Sequence, residues 1–329
     1  MRSKRTKTER RGFIVVVVLC MIICMAVLLL GFNYQSRSNL RVVDNFQKST
    51  NALNCARAGL NIAIAAIKDA RETNPKKTSP NLLREENTFE IGEGNCSVTI
   101  TEENAKLNVN LLKDKNGKPN RARIDQLLRL IDLLNRDRAG YSHIGYGLVP
   151  AIIDWIDGDD EVTHLPFIKN ENSGAESAYY GNLEIPYKCK NTPLETIEEL
   201  LLVKEITQDV FESMRDHITV YGKGEININS ASKRVIESLS EKMDSALAQM
   251  IIDRRKFKPF GSIMELRDVP GMTDGIYNTI KKMVTVRAAD EYYHVKARGN
   301  AGHRNCTIAA ILRKNMKTKN VEVVFYKES

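Results

Sequence analysis

Five carboxylates lie within eight residues, from Asp154 to Glu161. Asp154 belongs to an apolar helical pattern, and the loop after it carries the other four: Asp157, Asp159, Asp160 and Glu161. Like charges this close repel one another unless a cation or nearby basic groups offset them. Because carboxylates in D-x-D spacing are hard oxygen ligands, the loop suits Ca²⁺. The sequence predicts a calcium site here, and the alternative is a solvated acidic loop.

The acidic loop is not an EF-hand, because it lacks a glycine at the sixth position and a glutamate at the twelfth. Glu171 and Glu176 follow it in the chain and could complete a ligand shell. The predicted metal ligands are therefore Asp157, Asp159, Asp160, Glu161 and Glu176.

A second segment, Ser262–Thr273, resembles a helix-hairpin-helix, in which a Pro-Gly turn joins two short helices. In nucleic-acid-binding versions the backbone N–H groups after the turn face a phosphate. A second glycine is usual where this chain has Thr273, although the basic run Arg254–Lys258 could add phosphate contacts. We favour the alternative of a helical packing unit and expect no nucleic-acid partner.

The sequence offers no catalytic constellation. It contains no G-x-S-x-G, H-E-x-x-H, P-loop or G-x-G-x-x-G motif, and its five histidines are scattered. We therefore predict that the protein is not an enzyme.

The N-terminus predicts a membrane anchor. Residues 1–12 are strongly basic, and the run Phe13–Phe32 has no charged residue. About 20 apolar residues in a helix cover a bilayer core of roughly 30 Å. The positive-inside rule places the N-terminus in the cytoplasm and residues 33–329 outside the inner membrane. A cleaved secretory signal is the alternative, but the apolar run is long and no A-x-A site follows it.

Periodicity predicts the elements that carry these features. The N-terminal helix continues as an amphipathic helix to about residue 70, and Pro75 and Pro80 mark a linker after it. Extended patterns predict strands at 88–91 and 96–101 near the start of the body and at 292–297, 305–312 and 321–326 at its end. Helical patterns fill the region between, at 124–134, 149–156, 195–203, 207–215, 231–238, 243–256, 262–267 and 274–284.

The order of these elements predicts an α+β fold: a long helix packed on an antiparallel sheet, with an all-α domain inserted in the sheet. The predicted sheet domain comprises residues 71–103 and 288–329, and the insert comprises residues 104–287. The insert contains an imperfect repeat. Its matching pairs are 106–110 with 225–229, 151–157 with 250–256, and 197–203 with 263–269.

The chain resembles the minor pseudopilin K family of type II secretion. Arg11-Gly12-Phe13 is similar to a prepilin-peptidase site, with cleavage after Gly12 and methylation of Phe13. The further similar segments are 56–60, Glu103 with 106–110, 154–161, 174–176 with Tyr179-Tyr180, 192–203, 218–222 and 225–231. The resemblance covers nearly the whole chain.

The resemblance implies a pilin-like fold with a large helical insert that binds calcium as a structural ion. Pilins carry a glutamate at the fifth mature position, where this chain has Val17, and the K family also lacks that acid. Its absence suits a subunit with no neighbour above it. The chain departs from the family at Ser177, where an acid is common.

The implied function is structural. Such a protein caps the periplasmic pseudopilus in complex with the minor pseudopilins I and J, starts its assembly and contacts secreted substrates. Further expected partners are a prepilin peptidase and inner-membrane lipid. The alternative is a membrane-tethered helix-hairpin-helix protein that binds DNA. The cysteines Cys55, Cys96, Cys189 and Cys306 would lie in an oxidising space, and spacing alone does not pair them.

Overall fold

The computed structural model describes residues 5–69, 86–114, 117–138, 143–168 and 172–329. The linker predicted at Pro75 and Pro80 lies outside the described residues. The helices are α1 (Arg5–Asp69), α2 (Arg121–Asp137), α3 (Leu148–Ile156), α4 (Ser177–Tyr180), α5 (Gln208–Met214), α6 (Lys233–Ser238), α7 (Ser245–Phe257) and α8 (Asp274–Ile280). The strands are β1 (Asn87–Ile91), β2 (Gly94–Glu102), β3 (Leu107–Asn108), β4 (Ile218–Thr219), β5 (Ile226–Asn227), β6 (Val284–Thr285), β7 (Asp290–Ala301), β8 (Arg304–Asn315) and β9 (Val321–Glu328).

The helix α1 has 65 residues and is therefore about 100 Å long. From Phe13 it is long and apolar enough to cross a membrane, and the most apolar window, with a mean hydropathy of 3.5, has no buried residue. Its last five turns differ, because small side chains there are fully buried: Ala52, Ala56 and Ala63 are all 0% exposed. These alanines let the helix backbone lie close to a sheet.

The sheet has five strands in the order β1-β2-β7-β8-β9, and all neighbouring pairs are antiparallel. Alternate residues of β2, β7 and β8 are buried under α1 and form one apolar core with it. The predicted long helix on an antiparallel sheet is thus confirmed.

Gly299 on β7 allows the closest approach between α1 and the sheet. It pairs with Cys96 of β2 on one side and with Cys306 of β8 on the other. A Cβ atom at this position would overlap the carbonyl oxygen of Ala52 and the amide nitrogen of Ala56. Only glycine fits there without moving the helix.

Lys314 of β8 holds the C-terminal end of α1. Its side chain is almost fully buried, and its ammonium donates hydrogen bonds to the carbonyl oxygens of Ile67 and Lys68. The last carbonyl groups of a helix have no partner within the helix and carry partial negative charge. A buried cation at this position therefore satisfies these carbonyl groups and holds the last described turn of α1 against the sheet.

The residues between β2 and β7 form two apolar cores. The first core contains buried residues from Leu107 to Val220, and the second contains buried residues from Ile226 to Val284. The prediction that this region is all-α was wrong in detail, because each core also has a pair of parallel two-residue strands, β3 with β4 and β5 with β6. The segments predicted as helices at 195–203 and 262–267 are short 3₁₀ helices, Ile197–Leu202 and Ile263–Asp268.

The same hydrogen bonds occur in both cores. The Asn110 side chain donates to the carbonyl oxygens of Leu194 and Val220 and accepts from the amide of Leu194. The Asn229 side chain makes the equivalent three bonds with the carbonyl oxygens of Phe260 and Val286 and the amide of Phe260. In each core a half-buried asparagine, two residues after the first strand, thus bonds to the segment before the 3₁₀ helix and to the residue at the end of the last strand.

Candidate metal site

The end of α3 and the loop after it position three carboxylates. Asp154 lies in the last turn of α3, and Asp157 follows directly after the helix. Glu176 is on the returning part of the same loop, just before α4. Gly174 makes the return tight, since a Cβ atom there would overlap a carboxylate oxygen of Asp154.

Asp154, Asp157 and Glu176 form a compact buried cluster. One carboxylate oxygen of each lies within 4.8 Å of the others. The three residues are 0%, 6% and 2% exposed, respectively. Carboxylates this close and this buried repel one another strongly when they are ionised.

Few protein donors offset this negative charge. Asp154 Oδ1 accepts a hydrogen bond of 2.9 Å from the amide of Thr163, and Asp157 Oδ2 pairs with the Lys113 ammonium. Among the described residues, no group donates a hydrogen bond to the other four buried oxygens, which are Asp154 Oδ2, Asp157 Oδ1, Glu176 Oε1 and Glu176 Oε2. Buried polar atoms nearly always have partners, so four buried oxygens without one make this cluster a candidate ligand site.

The environment raises the pKa of all three carboxyl groups. Burial is the largest cause and raises the pKa of Glu176 to about 8 and that of Asp154 to about 6. The charges of Asp154 and Asp157 add to the rise at Glu176. The pKa of Asp157 is also raised by burial, although the hydrogen bond and the charge of Lys113 act in the opposite direction. Without a bound cation the cluster therefore favours protons, and a cation can replace them.

The residues present fit a divalent, oxygen-preferring cation. Three carboxylates with one lysine beside them leave a net charge near −2 when they are ionised, which one Ca²⁺ balances. One carboxylate oxygen of each residue is within reach of a common ion, two from the helix end and one from the returning loop.

Of the predicted ligands, the structure brings Asp157 and Glu176 together and leaves three others outside the cluster. Those three, Asp159, Asp160 and Glu161, are exposed on the loop. Glu171 lies outside the described residues. The predicted ligand set omitted Asp154, although its position three residues before Asp157 places both carboxylates on the same side of the helix end.

The Pro-Gly segment forms a packing unit. Thr273 caps α8 by accepting a hydrogen bond of 3.3 Å from the amide of Ile276, and Gly271 has a φ of +86°. Two of the neighbouring basic side chains bond within the chain. Arg254 bonds to the carbonyl oxygen of Lys258 and to Glu265, and Arg255 bonds to the carbonyl oxygen of Ile228.

An equivalent turn occurs in the first core. Thr207 caps α5 through the amide of Val210 at 3.3 Å, as Thr273 caps α8. Glu205 takes the place of the glycine and has a φ of +68°. Its carboxylate lies against Gly147 at the start of α3. A residue with φ in this region is strained unless it is glycine, so the contact with α3 stabilises an otherwise unfavourable turn.

Both halves of the insert match known families. Two family models, each described as type II secretion system (T2SS), protein K, match residues 105–223 and 226–287. Together they cover more than half of the chain and coincide with its two apolar cores.

A curated relative and a solved structure are also similar. The type II secretion system protein K of Pectobacterium carotovorum subsp. carotovorum is 23% identical over 183 residues, which is 54% of this chain and 52% of the relative. The aligned part thus spans about half the length of that relative. A chain in the crystal structure of the GspK-GspI-GspJ complex from the enterotoxigenic Escherichia coli type 2 secretion system has a TM-score of 0.62 at 16% identity. That match covers 90% of this chain and 99% of the other, so the two share a fold.

Proposed function

The chain belongs to the type II secretion system protein K family, and we propose that it is the minor pseudopilin at the tip of the pseudopilus. There it helps to start pseudopilus assembly and the export of folded proteins across the outer membrane. The observation that carries this proposal is the pair of family matches over both cores of the insert. The shared fold over 90% of the chain supports it.

The proposed partners are the minor pseudopilins I and J. The solved structure with the same fold is a complex of GspK with GspI and GspJ. In this chain α1 offers a surface for such partners outside the apolar run, where Leu40, Val43 and Phe46 are exposed. Secreted substrates would meet the insert, which leaves the sheet near Lys314 and the last described turn of α1, away from the apolar run.

The tip position follows from the missing acid at Val17. The run from Phe13 to Phe32 contains no carboxylate to engage the N-terminus of a subunit above it. A charged group in a bilayer is costly and needs a partner, so its absence removes one specific link between subunits. A subunit without this link suits the end of a filament.

The proposed maturation removes residues 1–12 and methylates Phe13. A prepilin peptidase would cut after Gly12 on the cytoplasmic side, because the basic leader stays there by the positive-inside rule. The mature chain is then held in the inner membrane by α1, with its body in the periplasm. We propose a structural role for this body and no enzymatic one.

Deletion and co-purification test the function. Deleting the gene should abolish or strongly reduce secretion of folded exoproteins, and the full-length chain should restore it. Pseudopilins I and J should co-purify with the full-length chain from detergent extracts. Normal secretion in the deletion strain would refute the proposal.

Intact mass tests the processing separately. The chain purified from membranes with an active prepilin peptidase should lack residues 1–12 and carry one added methyl group. Without the peptidase it should keep its full mass. An unprocessed chain in both cases would show that the segment Arg11-Gly12-Phe13 is not a cleavage site.

We also infer that the carboxylate cluster binds a structural calcium ion. Asp154, Asp157 and Glu176 would anchor the ion, and four of their oxygens are buried without a hydrogen-bond donor among the described residues. Ca²⁺ takes six to eight oxygen ligands, so the loop residues would complete the shell with water. The candidates on the loop are Asp159, Asp160 and Glu161.

The ion would join the end of α3 to the loop that returns at Gly174, and this part of the first core would depend on it. The metal content of the purified full-length chain tests this role. Glu176→Gln should lose bound calcium, whereas Asp253→Asn should keep it. Asp253 is a suitable control because it follows two isoleucines in α7, as Asp154 does in α3, but is exposed and contacts Lys256 instead.

We further propose that the insert arose by duplication. The element order from β3 to β4 recurs from β5 to β6, and Asn110 and Asn229 make equivalent bonds. Only the first copy carries the carboxylate cluster. The second copy has Lys256 in place of Asp157 in the aligned repeat.

A further inference from the structure

We propose that Cys55 and Cys96 form a disulfide that ties α1 covalently to the sheet. The inference rests on the proposed function in one respect, which is that the body lies in an oxidising compartment. Both thiols are free in the structure and almost completely buried, at 4% and 0% exposure. They belong to the same apolar core between α1 and the sheet.

The close approach at Gly299 brings the two cysteines together. The Cβ atom of Cys55 lies 3.0 Å from where a Cβ of Gly299 would be. Cys96 pairs with Gly299 across the β2–β7 ladder, and opposite positions on one face of a sheet have Cβ atoms roughly 5 Å apart. Cys55 therefore lies above Gly299, next to the position of Cys96 on β2.

Both thiols lie in the space between α1 and β2. The Sγ atom of Cys55 lies 2.8 Å from the place of a Cβ on Gly94, two residues before Cys96 on the same face of β2. The Sγ atom of Cys96 lies against Gly59, one turn after Cys55 on the same face of α1. Each thiol thus fills the space beside a glycine of the other element, and after burial the charge of Cys55 is the next cause that raises the pKa of Cys96. The disulfide would require both side chains to turn toward each other, to a Cβ–Cβ distance of about 4 Å.

Cys306 lies on the other side of Gly299 and is not the partner. The Cys55 thiol points away from it, towards the carbonyl oxygen of Ile91 at 3.6 Å. Cys306 is instead close to Arg57 and Glu328 and only partly buried. It is therefore a useful control, since it lies in the same row of the sheet on the other side of Gly299.

The reaction is a two-electron oxidation. The two thiols lose two protons and two electrons and form one S–S bond, and the disulfide of a thiol–disulfide oxidant accepts them and becomes a dithiol. Because both thiols are buried in the folded protein, an oxidant must reach them before α1 closes on the sheet. Burial also raises the pKa of Cys96 to about 11, so the folded dithiol would react slowly. The bond is thus expected to form during folding.

Refolding the purified full-length chain decides the inference. The chain is denatured, reduced, and refolded in detergent with a mixture of oxidised and reduced glutathione. It is then quenched in acid, unfolded and treated with a thiol-reactive maleimide. The expected result is four reactive thiols before reduction and six after it. The tryptic peptides 49–57 and 85–106 should be found linked, with a mass lower by two hydrogens than their sum.

Variants identify the pair. Cys96→Ser should give five reactive thiols both before and after reduction, whereas Cys306→Ser should give three before and five after. Reduction should lower the melting temperature of the wild-type chain by several degrees and leave that of Cys96→Ser unchanged. Six reactive thiols in the refolded wild-type chain, or a linked peptide containing Cys306, would overturn the inference.

The number of free thiols in cells tests separately whether the body of the protein lies in an oxidising compartment. Cells are quenched in acid before any extraction, and the thiols of the membrane-bound chain are counted in the same way. A disulfide that forms in the refolding buffer but is missing in cells would contradict the periplasmic body and leave the pairing intact. A chain that is secretion-competent yet reduced in both experiments would contradict the pairing and leave the proposed function intact.

Discussion

Neutralising Glu176 should remove most of the pH dependence of the stability of the calcium-free protein. In the wild type, the pKa of Glu176 rises from 4.5 to about 8 on folding, and that of Asp154 from 3.8 to about 6. The folded state therefore holds protons that the unfolded chain has already released. Its stability is complete below the unfolded pKa values and falls as pH rises through about 8.

The magnitude follows from these values. Between pH 5 and pH 8 the loss of these protons lowers the free energy of unfolding by roughly 3 kcal/mol at Glu176 and by roughly 1 kcal/mol at Asp154. For a protein of this size, each kcal/mol corresponds to a shift of about 2–4 °C in melting temperature. The chelated wild-type chain should thus melt on the order of 10 °C lower at pH 8 than at pH 5.

The assay is thermal unfolding of the full-length chain in detergent, with a chelator or with excess calcium, at several pH values. Calcium at about 100 times its dissociation constant adds roughly 3 kcal/mol, so it should offset most of the loss at pH 8. Glu176→Gln should show a much flatter pH profile and no response to calcium. Asp253→Asn should behave as the wild type. A flat profile in the chelated wild-type chain, or an equal slope in Glu176→Gln, would refute the argument.

Three further substitutions test how the elements are joined, and each is read from the melting temperature of the full-length chain. Gly299→Ala should cost roughly 3 kcal/mol, because the new methyl group would push α1 off the sheet, whereas Gly31→Ala, which has open space around it, should have little effect. Asn110→Ala and Asn229→Ala should each cost roughly 3 kcal/mol through three lost hydrogen bonds, and a neutral result would mean that solvent replaces them. Lys314→Met should cost roughly 2 kcal/mol by leaving two buried helix carbonyls without a donor, and unchanged stability would contradict the proposed role of that ammonium.

The architecture was predictable because its signals are long. The run from Phe13 to Phe32, the alternation along β2, β7 and β8, and the helical period of α2 each extend over many residues. The 3₁₀ helices at Ile197–Leu202 and Ile263–Asp268 were assigned as ordinary helices, since six residues of mixed pattern do not distinguish the two.

The carboxylate cluster was only partly predictable. Local spacing predicts Asp157 as a ligand, and Glu176 is close enough in the chain to be proposed as a further one. Asp154 is absent from the predicted ligand set because the pattern assigns it to the preceding helix and not to the loop. The acidic residues of the loop look equivalent in the sequence, but they differ in burial. Asp157 is 6% exposed, whereas Asp159 two residues later is exposed. That difference arises from the turn at the end of α3, which composition does not encode.

Contacts over long sequence separations could not be predicted. From the sequence, Lys314 would be assigned to the exposed face of a strand. In the structure its ammonium donates a hydrogen bond to the carbonyl oxygen of Lys68, which is 246 residues earlier in the chain. Gly299 carries no signal of its own, because the clash that it avoids is with a helix from the other end of the chain.

The junction of the insert bears on the order of folding events. β2 and β7 are adjacent in the sheet although about 190 residues separate Glu102 from Tyr293, which face each other. Asn104 joins the two ends of the insert, through bonds to the carbonyl oxygen of Asp290 and the amide of Tyr292. Closing so long a loop in an unfolded chain is entropically costly and slow. If the two halves of the insert fold first, they bring their ends together, and the central strands of the sheet then pair as readily as a hairpin.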